Sequence, residues 1–332
     1  MTLDFDAYVT AAVFDDSGRP MFALGDGTVR ILAGTEALAA DAHQGAALSA
    51  CVHPSGAGIL TGGDDGRVVW TRLLDGTIAA SPVAEVKGRW IDAVAASRES
   101  GLIAFAAGRD LHVRDAADPA FSRTFTHEKS VADVAFDPKG RRIAVATYNG
   151  AALWYARIES QKPQLLKWAG SHVLAAWSPD GRFLISAMQE NQLHGWRLSD
   201  GKDLRMGGYP AKVKSLAFLT DGLMMATSGA GGVVVWPFAG ANGPMGKEAA
   251  EIGFDQAATV ARVAATPRGS IVAAGLDDGR VWAADLKSGR IEHLRAGKGA
   301  PISAIAVTAD GAAVAWGDED GGAGLLQTGL TS

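Results

Sequence analysis

One pattern constrains this chain more than any other: a short apolar run leading into a turn that closes on glycine, met eight times. The closing residues are Gly18 (AAVFDDSG), Gly56 (SACVHPSG), Gly101 (DAVAASRESG), Gly140 (VADVAFDPKG), Gly181 (LAAWSPDG), Gly222 (SLAFLTDG), Gly269 (RVAATPRG) and Gly311 (AIAVTADG). Successive markers stand 38, 45, 39, 41, 41, 47 and 42 residues apart. Glycine ends such turns because it takes a positive φ without a Cβ clash, and a preceding proline presets the chain direction. A recurring supersecondary unit of this length cannot bury both of its faces alone, so the copies must pack on one another.

Within each unit the runs are short and rich in branched and aromatic residues, which predicts strands. After the marker comes a second run, as at residues 59–61, 143–147, 224–227 and 271–274, and then a turn such as Asp26-Gly27, Asp64-Asp65-Gly66, Tyr148-Asn149-Gly150 or Asp277-Asp278-Gly279. Asp-Gly and Asn-Gly supply the left-handed dihedrals of a tight hairpin. A third run follows, as at 67–70, 152–155 and 233–236. Fourth strands are less regular; 83–87, 122–126, 164–168, 202–206, 250–254 and 291–295 fit best. No segment carries a sustained helical stripe. A period of 40–45 residues with four strands per unit predicts an all-β fold, a single closed β-propeller over residues 1–332. Eight four-stranded blades are expected, with seven as the alternative count. The last unit stops soon after Leu325-Leu326, whereas Thr2-Leu3-Asp4-Phe5-Asp6 alternates apolar and polar ahead of the first. The N-terminal segment is therefore expected to complete the last blade as its fourth strand, since an unpaired edge invites aggregation.

Several function classes are disfavoured. A net charge of −5 argues against a nucleic-acid surface, which needs a basic stripe. Cys51 is the one cysteine, so there is no intramolecular disulfide and no cysteine-rich zinc site, and its apolar strand suits a buried small hydrophobe. The start carries two aspartates and no cation, unlike a secretory leader, and no apolar run is long enough for a membrane helix; a cytoplasmic protein without a membrane partner is expected. The seven histidines are dispersed without a paired metal motif, the acidic turns lack the EF-hand spacing, and no G-x-S-x-G elbow occurs. Gly229-Ala230-Gly231-Gly232 lies between strands and lacks the Lys-Ser or Lys-Thr of a phosphate loop. No cofactor and no metal site are expected.

With the units aligned, the chain resembles the WD40-repeat family in a degenerate form. The SPDG turn followed by Leu193-His194-Gly195-Trp196-Arg197-Leu198 in unit five is the best match. The resemblance implies a propeller acting as a non-catalytic platform for protein complexes. The family places a tryptophan of the third strand in a polar network with His and Asp. Here Trp70, Trp154 and Trp236 sit one residue early, and Leu32 and Ala284 take its place in other units. His43 fits the family histidine best, and His127 less well. No intact polar network is therefore expected in any unit, and stability should come from apolar packing between blades.

If a partner docks, the loops entering each first strand are the natural place. Alignment sets Tyr8, Ala46, Trp90, Ser130, Ser171, Lys212, Thr259 and Pro301 at equivalent entry positions, with Arg89, Lys129, Trp168, Tyr209 and Lys298 nearby. The second-to-third-strand turns should share this rim and add Arg109, Asp110, Tyr148, Asn149 and Gln189. Aromatic residues with Arg and Lys are the composition of an interface hot spot. The expected binding set is Tyr8, Arg89, Trp90, Arg109, Tyr148, Trp168, Tyr209 and Lys212, presented to a protein or peptide by a monomeric scaffold. A propeller enzyme of lactonase or lyase type with a metal in the channel, and a small-ligand binding module, are the alternatives.

Overall fold

The structure, a computed structural model, describes residues 1–330. The chain is an all-β propeller whose strands fall into seven hydrogen-bonded sheets, six of four strands and one of six. A single 3-10 turn at Thr220–Gly222 is the one helical element among the described residues. Two compact units divide the contacts: Val13–Trp177, and Met1–Ala12 with the chain from Ser178 onward.

The second strands are the most apolar of each unit and are buried along their whole length, as in Ile59–Gly63, Leu102–Ala107, Phe183–Met188 and Ile271–Leu276. Cores form where one repeat faces the next. In the unit Val13–Trp177, Leu60, Val68, Ile91, Ile103 and Phe105 fill one such layer, and Leu111, Val113, Phe125, Ile143 and Trp154 the following one. In the other unit, Val260, Val272 and Trp282 form a layer and Ile302, Val314 and Trp316 another. Burial of each large side chain contributes about 1.5–3 kcal/mol, so packing between repeats holds the fold, as the pattern of the sequence demands. Among the fourth strands, Ser122–Thr126 and Lys202–Met206 match their predicted bounds, while Ala250–Ile252 ends early, at Gly253.

The blade count depends on what is counted. The six-stranded sheet holds Asp133–Phe136, Arg142–Tyr155, Gln164–Trp177, Phe183–Met188, Leu193–Arg197 and Lys202–Met206, the strands of repeats four and five. Arg142–Tyr155 turns back on itself at Asn149 (φ 70°) and Gly150 (φ 134°), and the Ala156 N–H donates to the Arg141 carbonyl at 2.9 Å. Gln164–Trp177 then runs unbroken from the last strand of repeat four into the first of repeat five, with Ser171 paired to Tyr148. Eight repeats thus occupy seven hydrogen-bonded sheets, which is the alternative count.

The N-terminal strand Thr2–Asp4 pairs antiparallel with Gly322–Gln327, Leu3 opposite Ala323, and Phe5 is buried beside it. It is the fourth strand of the last sheet, where the alternation of residues 2–6 placed it.

A device that the sequence pattern does not reveal ties neighbouring repeats at the start of their first strands. In five repeats a polar side chain there bonds the main chain of the next first strand. Ser49 Oγ donates to the Ile91 carbonyl (3.2 Å), and an Asp133 carboxylate oxygen accepts the Ala175 N–H (2.8 Å). Ser215 Oγ accepts the Val263 N–H (2.8 Å), Arg262 Nε donates to the Ser303 carbonyl (2.8 Å), and Ser303 Oγ donates to the Val9 carbonyl (2.6 Å). Each such bond stabilises by roughly 0.5–1.5 kcal/mol net and fixes the register of one repeat on the next.

Candidate interaction surface

In an antiparallel repeat the entry loop and the second-to-third-strand turn share one end of the strands. Polar networks stiffen that end. His43, fully enclosed, bonds Thr61 Oγ1 through Nε2 (2.8 Å) and Asp65 Oδ1 through Nδ1 (3.0 Å). Burial pushes the Asp65 carboxyl up, but the Gln44 N–H, His43 and the Arg67 N–H outweigh it and hold the group below its ordinary value. A histidine, a threonine and an aspartate therefore form an intact network in repeat two, contrary to the expectation from the displaced tryptophan. The reason is that Trp70 is not needed. Its ring stacks on His53 (3.8 Å between centroids) and under Arg72, and its Nε1 donates to the Ala57 carbonyl (2.8 Å). In repeat four Trp154 Nε1 donates to His127 Nε2 (2.9 Å), which leaves Nδ1 as the protonated nitrogen that donates to the Arg109 carbonyl (3.1 Å). In repeat six Tyr209 stands where His43 stands in repeat two: its hydroxyl accepts from Trp236 Nε1 and meets Thr227 Oγ1, both at 2.7 Å.

These networks sort the expected binding residues. In the unit Val13–Trp177, Trp90 is 63% exposed and Tyr148 55%, and Arg89 and Arg109 are also exposed. Arg89 lies along Gly108, where an added Cβ would stand 3.8 Å from its Cδ, so it is beside the turn that carries Arg109. The loops beneath are sewn together: the Val86 N–H donates to the Gly66 carbonyl, Val131 to Gly108 and His127 to Arg109. Trp168 is half-buried, so its ring is only partly offered to solvent, and its carbonyl accepts from His172 Nε2 (3.1 Å).

In the other unit Tyr8 is exposed, and Lys212, half-buried, donates to Gln189 Oε1 at 2.6 Å. Tyr209 departs from the expected set. It is buried, and its hydroxyl is committed to Thr227 and Trp236, so it fastens the loop instead of facing a partner. Sequence reasoning also passed over Phe254, which is 64% exposed. The sequence pattern puts it in a fourth strand, but Gly253 (φ 67°) follows the end of that strand and Phe254 is exposed; the Gly-Phe-Asp triplet is the available signal.

Among the described residues no three His, Cys, Asp or Glu side chains converge as metal ligands. Burial pushes the Cys51 thiol up to about 12, which keeps it protonated and unreactive at neutral pH. No helix among the described residues is long and apolar enough to cross a membrane.

Comparison with known proteins agrees with this architecture. The family model described as WD domain, G-beta repeat, matches residues 37–70 and 120–154, the stretches that carry the His43–Thr61–Asp65 network and the His127–Trp154 pair. Among curated proteins, Protein LST8 homolog of Drosophila melanogaster is 30% identical over 154 residues, 42% of this chain and 49% of that protein. Protein LST8 homolog of Drosophila pseudoobscura pseudoobscura is 29% identical over the same shares. The match spans about half the length of these curated relatives. Among solved structures, the crystal structure of the computationally designed Ika8 protein superposes with a TM-score of 0.77 at 19% identity, over 98% of both chains; it speaks for the fold alone.

Proposed function

We propose that this chain, a WD40-repeat β-propeller, serves as a non-catalytic cytoplasmic scaffold that binds a protein or peptide through its entry-loop rim. One propeller domain over residues 1–332 presents the loops in this reading. The observation that carries it is the exposed Trp90 ring next in the chain to Arg89, whose own side chain lies along the network-braced turn that carries Arg109. An exposed indole, with exposed arginines on the same and the neighbouring loop and both loops held by backbone bonds, has little backbone freedom to lose when a partner docks. Tyr148, Tyr8 and Phe254 extend the same chemistry on other entry-end loops, whereas Tyr209 belongs to the scaffold itself. The resemblance of part of the chain to LST8 homologs is consistent with a platform role.

The test is a paired capture from extract of the native host, with tagged wild type and a Trp90→Ala/Arg109→Glu variant, after thermal melts establish that both fold. Hot-spot truncations of this kind cost about 2–4 kcal/mol, enough to lower recovery of a rim-bound partner by an order of magnitude or more. A folded variant that retains every partner at wild-type recovery would overturn the proposal.

A further inference from the structure

The strand ends remote from the entry loops carry a separate feature in the unit Val13–Trp177. An open groove of about 560 Å³ lies between the first turns of repeats three and four and the third-to-fourth-strand connection of repeat four. Glu99, Lys139, Arg141, Tyr155, Arg157 and Ile158 line it.

Its charges are not balanced from within. Asp137 is already engaged by the Arg141 N–H (2.7 Å), the Arg142 N–H (3.0 Å) and Arg142 Nε (3.1 Å), so it neutralises Arg142 and not Arg141. Arg157 is held by Asp115 (2.6 Å) and the Ser100 carbonyl (3.2 Å). Lys139 and Arg141 are exposed, and among the described residues neither side chain has a carboxylate in ion-pair reach. They face solvent as two surplus cations against one surplus acid, Glu99.

The groove also has an apolar wall. Tyr155 is 53% and Ile158 48% exposed, and Gln161 holds both in place. Its Oε1 accepts the Tyr155 N–H (3.0 Å), and its Nε2 donates to the Tyr155 carbonyl (2.7 Å) and the Ile158 carbonyl (2.6 Å). A loop so clamped offers its side chains on a backbone already ordered, which lowers the ordering cost of binding.

We infer that this groove docks an acidic peptide segment of a partner protein, with carboxylates against Lys139 and Arg141 and an aliphatic side chain against Tyr155 and Ile158. Two cations beside a glutamate are too few to track a nucleic-acid backbone, which gains affinity by neutralising many phosphates. Paired cations beside a fixed apolar wall match a carboxylate and an aliphatic side chain on one short peptide.

Fluorescence anisotropy tests this with a labelled peptide alternating glutamate and leucine, its lysine-for-glutamate counterpart, and a labelled oligo-dT. Wild type should bind the acidic peptide, and Lys139→Glu/Arg141→Glu should weaken it by about tenfold or more. Tyr155→Ala should weaken it severalfold, and Trp90→Ala should leave it unchanged, which separates this groove from the rim. If the charge-reversed protein does not melt cooperatively, Lys139→Gln/Arg141→Gln replaces it with a smaller expected loss. Absence of binding, equal binding of both peptides, no change in the charge variants, or oligo-dT bound as tightly as the acidic peptide would each overturn the inference.

Discussion

Near pH 8, Asp133→Asn is expected to be more stable than wild type by on the order of 2–4 kcal/mol, and the difference should vanish near pH 4. Asp133 ties the first strand of repeat four to that of repeat five by accepting the Ala175 N–H at 2.8 Å. The residue is half-buried, but its carboxylate is packed among protein atoms, and no ion pair among the described residues offsets the charge. Burial pushes the group from its ordinary 3.8 up to about 7, with the N–H groups of Ala175 and Val134 working in the other direction. The sign follows from proton binding. Between these two values the folded protein holds a proton that the unfolded chain releases. The favourable contribution is therefore complete below pH 3.8 and is lost as pH rises through about 7. Asparagine stays neutral and keeps an acceptor for the Ala175 N–H, so it should remove this residue's share of the pH dependence without losing the bond. Urea unfolding of both proteins across this range checks the result. A difference that stays constant with pH would show that Asp133 does not titrate as described.

Deletion of residues 1–7 should lower the melting temperature by several degrees and bring on concentration-dependent turbidity. The deletion removes the whole strand Thr2–Asp4, the buried Phe5 and the bond from the Phe5 N–H to the Gly321 carbonyl (3.0 Å). It also removes the Leu325 N–H bond to the Met1 carbonyl (3.0 Å). Loss of one large apolar side chain and several backbone bonds amounts to about 5 kcal/mol. The strand Gly322–Gln327 would then present an open edge of unpaired N–H and C=O groups, a template for another copy. A truncated protein with an unchanged melting curve would contradict the fourth-strand role. Calorimetry with light scattering at two concentrations separates the two effects.

What could be read in advance follows from which physics is local. Gly18, Gly56, Gly101, Gly140, Gly181, Gly222 and Gly311 all take a positive φ, and this requirement made the period visible. Gly269 does not, although it closes the same turn position in its unit. The second strands were legible because burial on both faces demands unbroken apolar runs. Exposure of a particular ring was not. Trp90 and Trp168 look alike as loop aromatics, but one faces water and the other is half covered. Tyr209 was placed on the rim because nothing local shows that its hydroxyl meets Thr227 and Trp236, 18 and 27 residues onward. The ties between first strands use serine, aspartate and arginine at related places, so residue type gives no pattern to find. The merged sheet of repeats four and five rests on one strand, Gln164–Trp177, that runs unbroken from the end of repeat four into repeat five, which no turn signal announces.

The central claim is that a partner contacts the rim at Trp90, and a photo-reactive benzophenone side chain placed at that position tests it most directly. Irradiation of the protein bound to its captured partners should join residue 90 to a partner chain, and the adduct should be lost when Arg109 is replaced by glutamate. The same label at Leu165, exposed on an outer strand, should give no adduct. Cross-links from Leu165 to the same partner with none from position 90 would contradict the account.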